Sequence, residues 1–225
     1  MSTDPQQQGS FLGRALVVVA IFAAAAGIWF GMEFFADEPS RHPSAIALKA
    51  GTLLPQPKPL QPFALTDQDG SPFSLDDLRG RWTFVSFGYT SCPDVCPTIM
   101  ATFNALDGLL RADTAEPPAD FLFVSVDPER DPPERLSQYV RYFNPSFLGA
   151  TGEHDALRAL TSQLGILYAR VDNQDSAMGY LVDHSASILL IDPQSRLAAI
   201  FSTPHDPKAM AEDFAAITAD FDHDP

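Results

Sequence analysis

Strand-type and helix-type segments alternate along the chain from Phe63 to Phe221, and this alternation limits the possible folds more than any other feature of the sequence. Three apolar segments rich in β-branched and aromatic residues are typical of buried strands: WTFVSFGYT, FLFVSVD and SILLID. Helix-type segments lie at residues 97–110, 132–143, 153–164 and 207–221. Strands that alternate with helices predict an α/β fold, and a hairpin-type turn at Asp69-Gly70 adds antiparallel pairing. We therefore expect a mixed sheet flanked by helices.

An uncharged apolar run, ALVVVAIFAAAAGIWFGM, precedes this region between Ala15 and Met32. Its length is close to the ~20 residues that cross a bilayer as a helix. A cleaved signal peptide is the alternative, but its apolar core usually spans only ~7–15 residues. Trp29 and the aromatic residues that follow resemble an interfacial belt, which favours an uncleaved single span. Arg14, the nearest basic residue, favours a cytoplasmic N-terminus.

Six prolines between Pro39 and Pro62 separate this run from the α/β region. Proline favours extended polyproline-type backbone and is incompatible with a regular helix, so the segment is expected to be a semi-rigid stalk. The predicted organisation is a tail at 1–14, a transmembrane anchor at 15–35, a stalk at 36–62, a folded domain at 63–221 and a tail at 222–225.

A formal net charge of −15 and a pI near 4.4 limit the partners of the domain. The sequence has no basic stripe that would neutralise a phosphate backbone, which excludes nucleic acid as a partner. The acidity either attracts a basic protein surface or cations, or only keeps the domain soluble.

Both cysteines of the chain, Cys92 and Cys96, lie in CPDVCP, between a predicted buried strand and a helix that starts near Pro97. Ligand sites of α/β sheets lie at such carboxyl ends of strands. The helix N-terminus is expected to lower the pKa of the adjacent Cys96 thiol. Because thiolates are both nucleophiles and soft metal ligands, redox chemistry and metal binding are both open.

Several uses of the two thiols compete. A structural disulfide would close a very short loop and stabilise the fold little. Structural zinc needs about four ligands, and usually more of them are cysteines than the two in this chain. Copper accepts two thiolates and an imidazole, as Cu(I) or as trigonal Cu(II). Five histidines could supply the imidazole: His42, His154, His184, His205 and His223. His184 is expected on a connecting loop beside a buried strand, where a purely structural role is the alternative.

Three motifs, in this order, resemble those of the SCO/SenC family of membrane-anchored copper chaperones for cytochrome c oxidase. They are GYTSCPDVCP at 88–97, SVDPERDPPE at 125–134 and VDHSASILLIDP at 182–193. The resemblance covers the predicted domain from Phe63 to Phe221. It implies a thioredoxin-like fold in which Cys92, Cys96 and His184 bind one copper ion, Cu(I) or Cu(II).

The resemblance also implies a metallochaperone without turnover. It would receive copper from a donor protein and deliver it to the CuA site of cytochrome c oxidase subunit II, from an extracytoplasmic position such as the bacterial periplasm. The alternative is a thiol-disulfide reductase that cycles a Cys92–Cys96 disulfide. The CxxxC spacing, and the lack of a proline between residues 181 and 192, favour metal binding over general disulfide exchange. A peroxiredoxin-like peroxidase would need a cysteine in a different local setting.

Two further predictions concern residues near these motifs. Glu129, Arg130 and Asp131, which follow Asp127 at the end of a buried strand, are expected to form a surface ion pair and to cap the next helix. Met178, in the polar stretch before His184, is a candidate auxiliary soft ligand.

Overall fold

The computed structural model describes residues 16, 21–23, 47–112, 118–172 and 180–221. The predicted anchor at 15–35, the first part of the predicted stalk and the tails lie almost entirely outside the described residues. In the described part of the chain, no helix has the length and apolar character needed to cross a membrane. The chain divides into two compact units, Met1–Ala45 and Ile46–Pro225. The features below belong to the second unit.

Among the described residues of the second unit, strands and helices alternate from Trp82 to Asp172, and further strands lie before and after this stretch. The strands are β1 (Gly51–Pro59), β2 (Ala64–Asp67), β3 (Pro72–Ser74), β4 (Trp82–Gly88), β5 (Ala119–Ser125), β6 (Leu148–Thr151), β7 (Tyr168–Asp172), β8 (Tyr180–His184), β9 (Ile188–Ile191) and β10 (Arg196–Phe201). The α-helices are α1 (Val95–Leu110), α2 (Pro133–Phe143), α3 (His154–Leu164) and α4 (Pro207–Phe221), and a 3₁₀ turn covers Leu75–Leu78.

Eight of these strands form one sheet in the order β1-β10-β9-β4-β5-β6-β2-β3. β4, β5 and β6 are parallel neighbours, and the remaining pairs are antiparallel. The sheet is therefore mixed, as the sequence predicts. β7 and β8 pair with each other as a separate antiparallel hairpin.

The core is built largely from phenylalanine around the central strand β4, which is buried along its whole length. The ring of Phe84 stacks on Phe121 of β5, with 5.4 Å between the ring centroids, and lies 5.5 Å from Phe214 of α4. Phe103 of α1 lies 5.2 Å from the Phe121 ring. The core therefore fixes β4 and α1, which are the two elements that flank the cysteines.

The structure corrects the predicted stalk at residues 51–59. These residues form β1, which pairs with β10 at the edge of the sheet, with a register shift between Leu53 and Lys58. Leu60, just after β1, is also buried in the core. Proline cannot donate a ladder hydrogen bond, but an edge strand tolerates it because one side of the strand has no partner. The folded domain thus starts before Phe63.

Asp213 of α4 binds the backbone at the start of β1. Its buried carboxylate accepts hydrogen bonds from the backbone N–H groups of Lys49 at 2.7 Å, Ala50 at 2.8 Å and Gly51 at 2.9 Å. The neighbouring Glu212 instead forms an exposed ion pair with Lys49.

Asp213→Ala is expected to lower the free energy of unfolding by about 3 kcal/mol, because it leaves three backbone donors without their charged acceptor. The matched control, Glu212→Gln, removes an exposed pair worth at most about 1 kcal/mol. Urea unfolding of both variants measures the difference. Equal midpoints for the two variants would contradict this role of Asp213.

Candidate metal centre

The loop that carries the cysteines connects β4, which ends at Gly88, to α1. β4 and β5 run parallel, so this loop leaves the carboxyl end of the strands, where ligand sites of α/β sheets lie. The helix begins at Val95, two residues earlier than the sequence predicts, and Cys96 therefore lies within its first turn. The backbone N–H of Cys96 points to the Cys92 sulfur at 3.5 Å.

Cys92, Cys96 and His184 come together around one point. The two sulfur atoms and an imidazole nitrogen all lie within 4.8 Å of one another. The Cys96 Sγ is 3.2 Å from the His184 Nε2. Both cysteines are free thiols; Cys96 is fully buried and Cys92 is partly exposed. Within the described residues, no other group of three or more His, Cys, Asp and Glu side chains has this metal-binding proximity.

His184 reaches the thiols from the separate hairpin. It is the last residue of β8, opposite Tyr168 of β7, and not a residue of a connecting loop as the sequence predicts. Its Nδ1 lies 3.2 Å from the Ser185 carbonyl oxygen. With a metal bound, an Nδ1–H that donates to this carbonyl would leave the Nε2 lone pair free for coordination. The buried Tyr89 ring meets the imidazole edge-on, with 6.0 Å between the centroids.

The pKa values of the two thiols are shifted in opposite directions. A hydrogen bond from Cys96 lowers the pKa of Cys92 to about 3, and a further hydrogen bond with His184 acts in the same direction, against the effect of burial. The hydrogen bond to Cys92 and the burial of its own sulfur raise the pKa of Cys96. The pair thus holds one proton, on Cys96, with the negative charge on the more exposed Cys92. The helix start predicts a lowered pKa at Cys96 and partial ionisation of both thiols, whereas the structure lowers the pKa of Cys92 and raises that of Cys96.

Cys92 is therefore expected to react with iodoacetamide at nearly the same rate from pH 5 to pH 8, because it stays a thiolate throughout this range. A free thiol with a pKa of about 8.5 would lose about tenfold in rate for each pH unit below that value. Mass spectrometry of the tryptic peptides reports which cysteine is alkylated. Preferential alkylation of Cys96, or a rate that falls tenfold per unit below pH 8, would contradict this assignment.

The turn between β5 and α2 supports the cysteine loop. Asp131 is fully buried and accepts hydrogen bonds from Thr90 N at 2.8 Å, Thr90 Oγ1 at 2.6 Å and Ser125 Oγ at 2.5 Å. Arg135 donates to Thr90 Oγ1 at 2.8 Å and to Ser91 Oγ at 2.9 Å. The prediction of a surface role for Asp131 is therefore wrong, because its carboxylate is buried and accepts hydrogen bonds from Thr90, in the loop that precedes the thiols, and from Ser125, at the end of β5.

The rest of the same motif is also more buried than the sequence predicts. Asp127 is 2% exposed and forms an ion pair with Arg130, with 2.5 Å between Nε and Oδ2. Only Glu129 matches the predicted surface pairing, through an exposed contact of 2.7 Å with His154. The N-cap of α2 is Pro132, which makes no side-chain cap, so the motif does not cap the helix.

Two of the other candidate ligands, His154 and His205, lie among the described residues, and neither belongs to the group formed by the cysteines and His184. His154 pairs with Glu129, and His205 Nε2 lies 2.8 Å from the Ala186 carbonyl oxygen. His42, Met178 and His223 lie outside the described residues.

Comparison with known proteins gives one consistent result. Residues 53–219 match the SCO1/SenC family model. The chain is 35% identical over 152 residues to the SCO2-like protein of Rickettsia felis, covering 67% of this chain and 72% of the relative. The fold resembles copper-bound ScoI of Bradyrhizobium japonicum (32% identity, TM-score 0.61, 70% of this chain and 98% of the other). It also resembles copper-bound ScoI of Arabidopsis thaliana (28% identity, TM-score 0.65, 72% and 98%). This chain belongs to the SCO1/SenC family.

Proposed function

We propose that the domain binds one copper ion through the sulfur atoms of Cys92 and Cys96 and the Nε2 atom of His184, and that copper is its cargo. The observation that carries the proposal is the convergence of these three atoms within 4.8 Å. Two thiolates suit Cu(I), and an added imidazole also accommodates trigonal Cu(II). Two of the solved structures that this fold resembles are described as copper-bound.

The exposure of the site fits transfer better than storage. Cys96 is fully buried, while Cys92 is partly exposed and carries the negative charge of the pair. A partner can therefore reach the metal on the Cys92 side and replace one ligand at a time. We propose a metallochaperone that receives copper from a donor protein and delivers it to the CuA site of cytochrome c oxidase subunit II. In this proposal residues 15–35 anchor it, with the N-terminus cytoplasmic and the domain in an extracytoplasmic space such as the bacterial periplasm.

His184→Ala tests the ligand set. We expect it to weaken Cu(II) binding more than Cu(I) binding, because two thiolates still hold Cu(I) whereas Cu(II) loses its nitrogen ligand. The loss for Cu(II) should exceed the ~10–100-fold typical of removing a residue that only supports a ligand. Competition titrations with a chelator for each oxidation state measure both affinities.

His154→Ala is the matched control, because it removes a histidine that pairs with Glu129 at the surface. It should leave both affinities unchanged. Equal loss of Cu(I) and Cu(II) in His184→Ala, or no loss of either, would contradict the proposed ligand set.

A second candidate function is disulfide reduction, favoured by the low pKa of Cys92 next to a second free thiol. Cys92 would attack an acceptor disulfide, and Cys96 would then displace the acceptor, so that a Cys92–Cys96 disulfide forms as the acceptor gains two thiols. This reaction requires no metal and competes with copper binding for the same sulfur atoms.

A further inference from the structure

We infer that Arg130 is a positioning residue for His184, an inference that rests on the proposed copper function. Arg130 lies in the turn between β5 and α2, and His184 ends β8 of the separate hairpin. The guanidinium group joins this turn to the hairpin. Its contacts hold the imidazole at the place where it meets the two sulfur atoms.

The hairpin needs such a connection because of the sheet topology. In the described part of the chain, β7 and β8 pair only with each other and do not extend the eight-stranded sheet. Among the described residues β8 forms no main-chain ladder with β4, so side-chain packing and contacts from neighbouring loops contribute to the position of His184 relative to the cysteines.

Arg130 makes three kinds of contact where its turn meets β8 and Tyr89. Its Nη1 donates a hydrogen bond of 3.1 Å to the backbone carbonyl of Tyr180, the first residue of β8. Its guanidinium lies over the Tyr180 ring, 3.6 Å from the centroid, and 5.3 Å from the Tyr89 ring centroid. Its Nε pairs with the buried carboxylate of Asp127, which also accepts the Tyr180 hydroxyl at 2.7 Å. The Arg130 side chain is only 18% exposed.

The contacts reach the imidazole by two routes. Alternate residues of a strand point to the same face, so Tyr180 and His184 lie on one face of β8, with the buried Val182 between them. Fixing Tyr180 therefore fixes the strand that presents His184. The second route is direct, since the Tyr89 ring that lies near the guanidinium also meets the His184 ring edge-on.

The chemistry of these contacts is particular to arginine. A guanidinium is flat, stacks on aromatic rings and donates from several nitrogens at fixed angles. Lysine keeps the charge beside Asp127 but cannot both stack on Tyr180 and pair with the carboxylate. Arg130→Lys therefore separates positioning from charge, and it avoids the uncompensated buried carboxylate that Arg130→Ala creates.

The test uses the purified full-length chain loaded with Cu(I) or Cu(II), comparing wild type with Arg130→Lys, Arg130→Ala and Arg141→Ala. Arg141 forms an exposed pair with Asp69 and serves as the matched arginine control. Readouts are the affinity for each copper oxidation state, and the visible absorption and electron paramagnetic resonance spectra of the Cu(II) form. A double-mutant cycle adds Arg130→Lys to His184→Ala.

Both Arg130 variants should lower Cu(II) affinity about tenfold, the low end for a residue that orients a metal ligand, and shift the Cu(II) spectra toward those of His184→Ala. Cu(I) affinity should stay close to wild type, which also shows that the fold is intact. In the His184→Ala background, Arg130→Lys should cause no further loss, since it acts only through the imidazole.

The outcomes separate this inference from the proposed function. Wild-type Cu(II) spectra and affinity in both Arg130 variants, or an additive loss in the cycle, would overturn the positioning role while the copper site stands. Parallel loss of Cu(I) and Cu(II) in both variants would also overturn it, in favour of a general structural role. If wild-type protein binds no copper, the proposed function fails first and this inference fails with it.

Discussion

Cys96→Ser is expected to abolish tight Cu(I) binding. Cys96 is the buried member of the thiol pair, and its sulfur lies 3.2 Å from the His184 Nε2. A serine hydroxyl is a hard oxygen that is not ionised at neutral pH, so the site would keep only one soft ligand. The affinity should fall by more than the ~100-fold that marks the loss of a supporting residue. Cys92→Ser should have the same effect, because two-coordinate Cu(I) needs both sulfur atoms.

Met100→Leu is the matched control for this experiment. Met100 is fully buried in α1, one turn beyond Cys96, and its thioether is the nearest other sulfur along the chain. The exchange of Met for Leu nearly conserves volume and is tolerated in cores. Anaerobic titration of the reduced proteins with Cu(I), against a competing chelator, should show wild-type binding in this control. A single-cysteine variant that still holds one copper at wild-type affinity would contradict the paired-thiolate site.

Gly88→Ala is expected to damage both the fold and the metal centre. A Cβ at position 88 would lie 2.5 Å from the Cys96 sulfur and 2.9 Å from the Phe123 ring, closer than atoms can approach without a shift. Overpacking of this kind costs about 1–3 kcal/mol of unfolding free energy. The displaced sulfur should also move away from His184, so that copper affinity falls with stability.

Gly108→Ala is the control for the same chemical change. Gly108 lies in α1, and a Cβ there would meet nothing within 4 Å. Alanine at an open helical position should raise the free energy of unfolding by about 0.5–1 kcal/mol. Thermal unfolding of both apo variants, followed by Cu(I) titration, measures the two effects. Wild-type stability and affinity in Gly88→Ala would show that the close approach of Gly88 to Cys96 is unimportant.

The main elements of the fold are predictable because their signals are local. Nearby residues alone identify the apolar runs that form β4, β5 and β9. They also identify Gly165 as the end of α3. The sequence does not indicate β1, because its prolines argue against a strand and its edge position depends on β10, far along the chain. It does not indicate β8, because a short strand of mixed polarity lacks a continuous apolar run.

The candidate site shows the same division. The cysteine pair and its place after a buried strand are visible in the sequence, but the choice of His184 among five histidines depended on family resemblance. The burial of Asp131 could not be predicted, because Thr90, which donates two of the hydrogen bonds to its carboxylate, lies 41 positions away in the chain. The stacking of Arg130 on Tyr180 likewise joins residues 50 positions apart. Long-range pairings of this kind leave no periodic signal in a single sequence.

An anaerobic titration of the fully reduced protein with Cu(I), in which bound copper per chain is counted, tests the copper site most directly. Binding is expected to saturate at one copper per chain and to be lost in Cys92→Ser and in Cys96→Ser. Absence of saturable binding, together with rapid reduction of a disulfide substrate by the same preparation, would contradict the copper site and assign the two thiols to electron exchange.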